Sequence, residues 1–168
     1  DAYHHGALRE ALIEAAESLL REQGLAGFTL RECARRAGVS HAAPAHHFGD
    51  ARGLLTACAA GGLGRLADLM NAHVCRVGSG DAPARLRAVG QAYVDFALEH
   101  GALFQLMFRR DRLDPGNAAL RQAGGNRAEA ARRLGIHRQL LYTKARRHGL
   151  IGPEPSEERT GAVAIADG

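Results

Sequence analysis

Leu8, Leu12, Ala15, Ala16, Leu19 and Leu20 recur at i, i+4, i+7, i+8, i+11 and i+12. They draw one apolar stripe along a helix from Ala7 to about Gln23, after an N-terminal arm Tyr3-His4-His5-Gly6. Arg9, Glu10, Glu14, Glu17 and Arg21 take the other face, and Gly24 suits the stop. Thr29 then opens a short helix with Glu32 three residues on, the capping-box spacing. Gly38 breaks the chain, and Ser40 is placed to cap another short helix through about His47. A longer helix, Ala51 to about Val74, carries Leu54, Leu55, Leu63, Leu66, Leu69 and Met70. Gly78-Ser79-Gly80 reads as a loop and Pro83 to Glu99 as the next helix, with Pro83 tolerated in its first turn. His100-Gly101 ends that helix, a segment from Ala102 to about Arg112 follows, and Asp114-Pro115-Gly116 is a turn. Residues 126–149 predict two more short helices, and the Pro/Glu/Gly-rich stretch after Gly152 reads as a disordered tail. No segment shows the period-2 alternation of a strand, so the predicted fold class is all-α.

One pattern occurs twice. Residues 29–40 read TLRECARRAGVS and residues 126–137 read NRAEAARRLGIH, so Glu32, Ala34, Arg35, Arg36, Gly38 and Val39 answer to Glu129, Ala131, Arg132, Arg133, Gly135 and Ile136. Each part has a task in a helix-turn-helix. Thr29 or Asn126 caps free amides and the Glu returns the bond. The small Ala admits a close helix crossing, the Gly takes the left-handed turn, and Val39 or Ile136 plugs the corner. The second helix of such a unit projects its first residues toward a major groove.

Residues 3–55 resemble the TetR family of bacterial repressors. GFTLRECARRAGVSHAAPAHHFGDARGLL (27–55) is similar to the family's DNA-binding signature, and YHHGALREALIEAAESLLREQG (3–24) to its first helix. The resemblance implies a three-helix domain whose third helix, about Ser40 to His47, reads DNA. It places Thr29, Ser40, His41, Ala42, Ala43, His46 and His47 where DNA contacts occur. Ala42 and Ala43 are small enough to meet a thymine methyl. The family commonly has Tyr near position 45, where this chain has Ala45. Phe48 reads as core. AYVDFALEHGALFQLMF (92–108) resembles the regulatory region of a subgroup, in which Tyr93, Phe96, Phe104, Met107 and Phe108 would line an effector pocket. The TetR resemblance runs from residue 3 to residue 123.

From there GGNRAEAARRLGIHRQLLYTKARRHGL (124–150) resembles the Fis-type helix-turn-helix. This second resemblance turns His137, Arg138, Tyr142, Thr143, Lys144, Arg146 and Arg147 toward DNA. The chain then divides into a DNA-binding domain (1–50), a partial helical regulatory and dimerisation region (51–123), the second motif (124–152) and the tail (153–168).

Charge sharpens this division. The formal total is +4, but residues 1–50 hold five basic groups against seven acids, whereas 121–151 hold eight against Glu129 alone. The first reader is therefore short of positive charge, and the second motif holds the excess expected of a polyanion-binding patch. Cys33, Cys58 and Cys75 form no CxxC and are odd in number, which disfavours a disulfide framework or zinc site and fits a reducing cytoplasm. No stretch reaches the ~20 apolar residues needed to span a bilayer. GxSxG, P-loop and HExxH patterns are absent, so neither an enzyme nor a cofactor or metal is expected. The reading is a sequence-specific transcriptional repressor that binds double-stranded DNA as a homodimer and answers to a small-molecule effector. The alternative is a Fis-like architectural or activator protein working through 124–150.

Overall fold

The computed structural model describes residues 2–78 and 82–124, with side chains described from residue 7. The candidate second reader (His137, Arg138, Tyr142, Thr143, Lys144, Arg146 and Arg147) and the tail lie outside the described residues. Every regular element among the described residues is helical: α1 (Ala2–Gln23), α2 (Leu30–Arg36), α3 (Ala43–Phe48), α4 (Ala51–Val77), α5 (Ala82–Glu99) and α6 (Gly101–Leu106). A 3-10 turn follows at Arg110–Arg112, and residues 118–124 are helical as well.

The predicted boundaries hold where local chemistry sets them. Gly24 ends α1 at φ 66°, and its N–H donates to the Leu20 carbonyl at 2.9 Å. The Asp50 carboxylate caps α4 by accepting the Gly53 N–H at 2.8 Å. The Asp114 carboxylate accepts the Gly116 N–H at 2.9 Å in the turn before residues 118–124. At its start, however, α1 begins at Ala2 rather than Ala7, because only Gly6 interrupts the arm and one glycine costs a helix about 1 kcal/mol. The segment from Ala102 to Arg112 is not one helix either. Arg109 forks onto Asp111, Nε to Oδ1 and Nη2 to Oδ2, both at 2.9 Å. Positions two apart do not face each other on an α-helix, so that pair belongs to the tighter turn.

α4 is the spine. It packs on α5 along its length and also meets α1, α3 and α6. One apolar cluster runs through Ala16, Leu19 and Leu20 of α1, Cys33 of α2, Leu54, Cys58, Leu63 and Leu66 of α4, Phe96 of α5 and Phe104 of α6. The N-terminal three-helix unit and the helices after it thus share a continuous core.

Candidate nucleic-acid interface

The α2–α3 unit is built from its caps inward. The Thr29 hydroxyl accepts the Glu32 N–H at 3.2 Å, as the spacing predicts. The reciprocal half of the capping box is replaced: the Glu32 carboxylate accepts from Arg35 (Nη2 to Oε1, 2.6 Å; Nε to Oε2, 2.8 Å) and from Arg36 (Nε to Oε1, 3.0 Å). These guanidinium bonds, Arg35 first, pull the Glu32 pKa down to about 2. Ala34 is fully buried at the crossing, Gly38 makes the corner at φ 67°, and the Val39 N–H returns to the Ala34 carbonyl at 3.0 Å.

Ser40 does not cap α3. The helix begins at Ala43, with Ala42 as an N-cap that makes no side-chain bond, and the Ala43 N–H donates to the Ser40 carbonyl at 3.1 Å. Pro44 is the reason. A helix capped by Ser40 would need the missing N–H of Pro44 to reach the Ser40 carbonyl, whereas starting at Ala43 leaves Pro44 in the first turn. Pro44 is buried beneath the unit. Thr29, Ser40, His41, Ala42 and His46 are exposed, while Ala43 and His47 are half-buried. His46 meets His47 edge-on at 5.4 Å, and His47 lies 6.3 Å from the Phe48 ring. Phe48 packs against the core as expected, but it also carries the Arg9 guanidinium over its face at 5.3 Å. Helical periodicity puts Arg9 on the polar side of α1 and gives no sign of this contact, which forms only when α3 folds back beside α1.

The candidate effector residues come together, as a packed core. Tyr93, Phe96, Phe104 and Met107 are buried and Phe108 is half-buried. Phe104 meets Tyr93 at 5.0 Å and Phe108 at 5.1 Å, and Phe96 meets His100 at 4.7 Å. Two clefts, one between α1 and α2 and one between α1 and the α5–α6 junction, are lined by none of these five residues. Among the described residues no His, Cys, Asp and Glu side chains gather as a metal-holding group of three or more. No described helix is long and apolar enough to cross a membrane.

The family model "Bacterial regulatory proteins, tetR family" matches residues 12–58. The model "Tetracyclin repressor-like, C-terminal domain" matches residues 86–166, so that match continues past residue 123, where the resemblance read from the sequence stops. The chain is 32% identical over 170 residues to the HTH-type transcriptional regulator BetI of Rhizobium meliloti, covering 95% of this chain and 74% of that protein. It is 42% identical over 88 residues to BetI of Burkholderia thailandensis, covering 52% of this chain and 44% of that one. Among solved structures, a protein of unknown function from Rhodococcus sp. RHA1 superposes with a TM-score of 0.66 at 38% identity, covering 90% of this chain and 74% of that one. A putative tetR family transcription regulator from Shewanella sp. PV-4 gives 0.61 at 25% identity, covering 84% and 71%.

Proposed function

The chain belongs to the tetR family of bacterial regulatory proteins, and from that premise we propose that this transcriptional regulator is a repressor that grips a two-fold DNA site as a homodimer. The α2–α3 unit is the reader in this proposal. Ser40, His41, Ala42 and Ala43 enter the major groove, and Thr29, His46 and His47 stand at its phosphate edge. The observation that carries the reading is the exposed run Ser40–Ala42 with His46, set above the buried Pro44 and Ala34. Two copies related by a two-fold axis would offset the weak electrostatics of a unit with more acids than bases.

Tyr93, Phe96, Phe104, Met107 and Phe108 form the wall into which a small apolar effector would open a pocket, releasing the DNA. The cytoplasm is the compartment in which such a regulator meets its operator. The dense positive charge of residues 121–151 favours one further contact, by a Fis-type unit at 124–150 with Arg138, Lys144, Arg146 and Arg147 on phosphates.

An electrophoretic shift series on the chain's own promoter region tests the main reading. A shift that weakens steeply between about 50 and 200 mM salt is expected. Replacing His41 or Ala43 should change which sequences are preferred. No shift on promoter-proximal DNA at low salt, or a monomer by light scattering at micromolar concentration, overturns it. Deleting residues 124–168 tests the second contact, which fails if the salt dependence is unchanged.

A further inference from the structure

α3 contains neither arginine nor lysine, so a permanently charged partner for a phosphate beside it has to come from another element, in addition to His46 and His47. Residues 1–50 supply five candidates: Arg9, Arg21, Arg31, Arg35 and Arg36. Two are already engaged. Arg35 is paired with Glu32, and Arg36 with both Glu32 and Glu22, so each positive charge is answered locally. Arg21 lines the crevice between α1 and α6 with Glu17, Glu99 and His100, on the side of the regulatory helices. Arg9 and Arg31 are exposed, and neither is in an ion pair among the described residues.

Arg9 is also held in place. Its guanidinium lies 5.3 Å over the ring of Phe48, the last residue of α3. Phe48 continues through His47 to the exposed His46 in a run of ring contacts. A guanidinium resting on an aromatic face keeps its N–H edge outward and gives up few rotamers when that edge is used. Such an edge matches two oxygens of a phosphate. Arg31 stands in the first turn of α2, two residues after the Thr29 cap.

We propose that Arg9, preset by Phe48, is the phosphate anchor of the reader, with Arg31 as a second backbone contact on α2. The proposal rests on the reading of α2–α3 as the DNA-binding unit and adds to it a residue on α1. Arg35 and Arg36 resemble a basic patch in sequence, but their charges serve to brace α2.

The test is the salt dependence of binding by the full chain to a random-sequence duplex, followed by fluorescence anisotropy between about 50 and 200 mM salt. Arg9→Ala should lower the slope of log K against log salt by about 0.9 for each Arg9 engaged. Arg9→Lys should keep the slope, because the charge remains. Arg35→Ala removes the same formal charge from the same domain and should leave the slope as it was. A slope for Arg9→Ala equal to that of the unaltered chain overturns the proposal, as does an equal loss for Arg35→Ala. If the unaltered chain fails to bind DNA at low salt, the reading of the reader itself has failed. Circular dichroism on each variant confirms the fold, which an exposed residue such as Arg9 leaves intact.

Discussion

Arg36 of α2 reaches across the helix crossing and clasps Glu22 of α1, Nη2 to Oε2 at 2.7 Å and Nη1 to Oε1 at 2.8 Å. The same guanidinium donates from Nε to Glu32 on its own helix at 3.0 Å. One arginine therefore ties α2 to α1 while bracing α2 on itself. Its bonds also hold the Glu22 carboxyl below its ordinary pKa.

These depressed carboxyls predict acid lability of the reader. Glu32 titrates at about 2 in the folded chain against an ordinary 4.5, through its bonds from Arg35 and Arg36. In that window the unfolded chain binds the proton and the folded one does not, so stability falls as pH falls. Glu32→Gln should melt below the unaltered chain at neutral pH, and the gap should close as pH drops from about 4.5 toward 2. A gap in melting temperature that ignores pH contradicts the assignment.

The parts legible in the sequence are those set by bonds between near neighbours. Thr29, Gly24, Gly38 and the Asp114 turn act within four residues, and a cap or a left-handed glycine is visible wherever it occurs. The start of α3 needed two local signals weighed together, Ser40 as a cap against Pro44 as a veto, and the proline prevails because a missing donor has no substitute. The pairing of Arg36 with Glu22 spans 14 positions and that of Arg65 with Glu17 spans 48. No periodicity encodes them, because they depend on how helices cross. The Arg9–Phe48 contact was hidden for the same reason. The aromatic residues of α5 and α6 were legible as apolar, but a ring that packs a core and a ring that lines a pocket leave the same mark on a sequence.

Two glycines of α4 should respond oppositely to alanine. A Cβ at Gly62 would lie 3.0 Å from Leu103 side-chain carbons and from the Met107 sulfur, where α4 meets α6. Overpacking costs about 1–3 kcal/mol, against a helix-propensity gain of about 1 kcal/mol. Gly62→Ala should therefore lower stability in urea unfolding. At Gly64 a Cβ meets nothing within 4 Å, so Gly64→Ala should raise stability by about 0.4–1 kcal/mol. Equal shifts of the same sign would mean that α4 and α6 are not packed as described.

The thiols should divide by burial. Cys33 and Cys58 are fully buried, and desolvation raises their pKa to about 11 and about 12. Cys75 is exposed. An aromatic disulfide reagent at pH 8 should titrate Cys75 promptly in the native chain and reach Cys33 and Cys58 only after denaturant is added. Prompt labelling of Cys58 would show that the α1–α4 core opens readily.

The Thr56 hydroxyl ties the turn at residues 113–114 to the helix that follows the reader. The side chain is fully buried in α4. Its hydroxyl donates to the Arg52 carbonyl at 2.7 Å and accepts the Asp114 N–H at 2.9 Å. Arg52 adds a parallel tie, Nε to the Leu113 carbonyl at 2.9 Å. Thr56→Val keeps the shape but leaves the Asp114 N–H without an acceptor, a loss of about 1–3 kcal/mol. Thr56→Ser keeps the hydroxyl and gives up only a methyl, which for a buried group costs roughly 1 kcal/mol. Urea unfolding should rank the unaltered chain first, Ser next and Val last. If Val equals or exceeds Ser, the hydroxyl is not what holds residues 113–114 against α4.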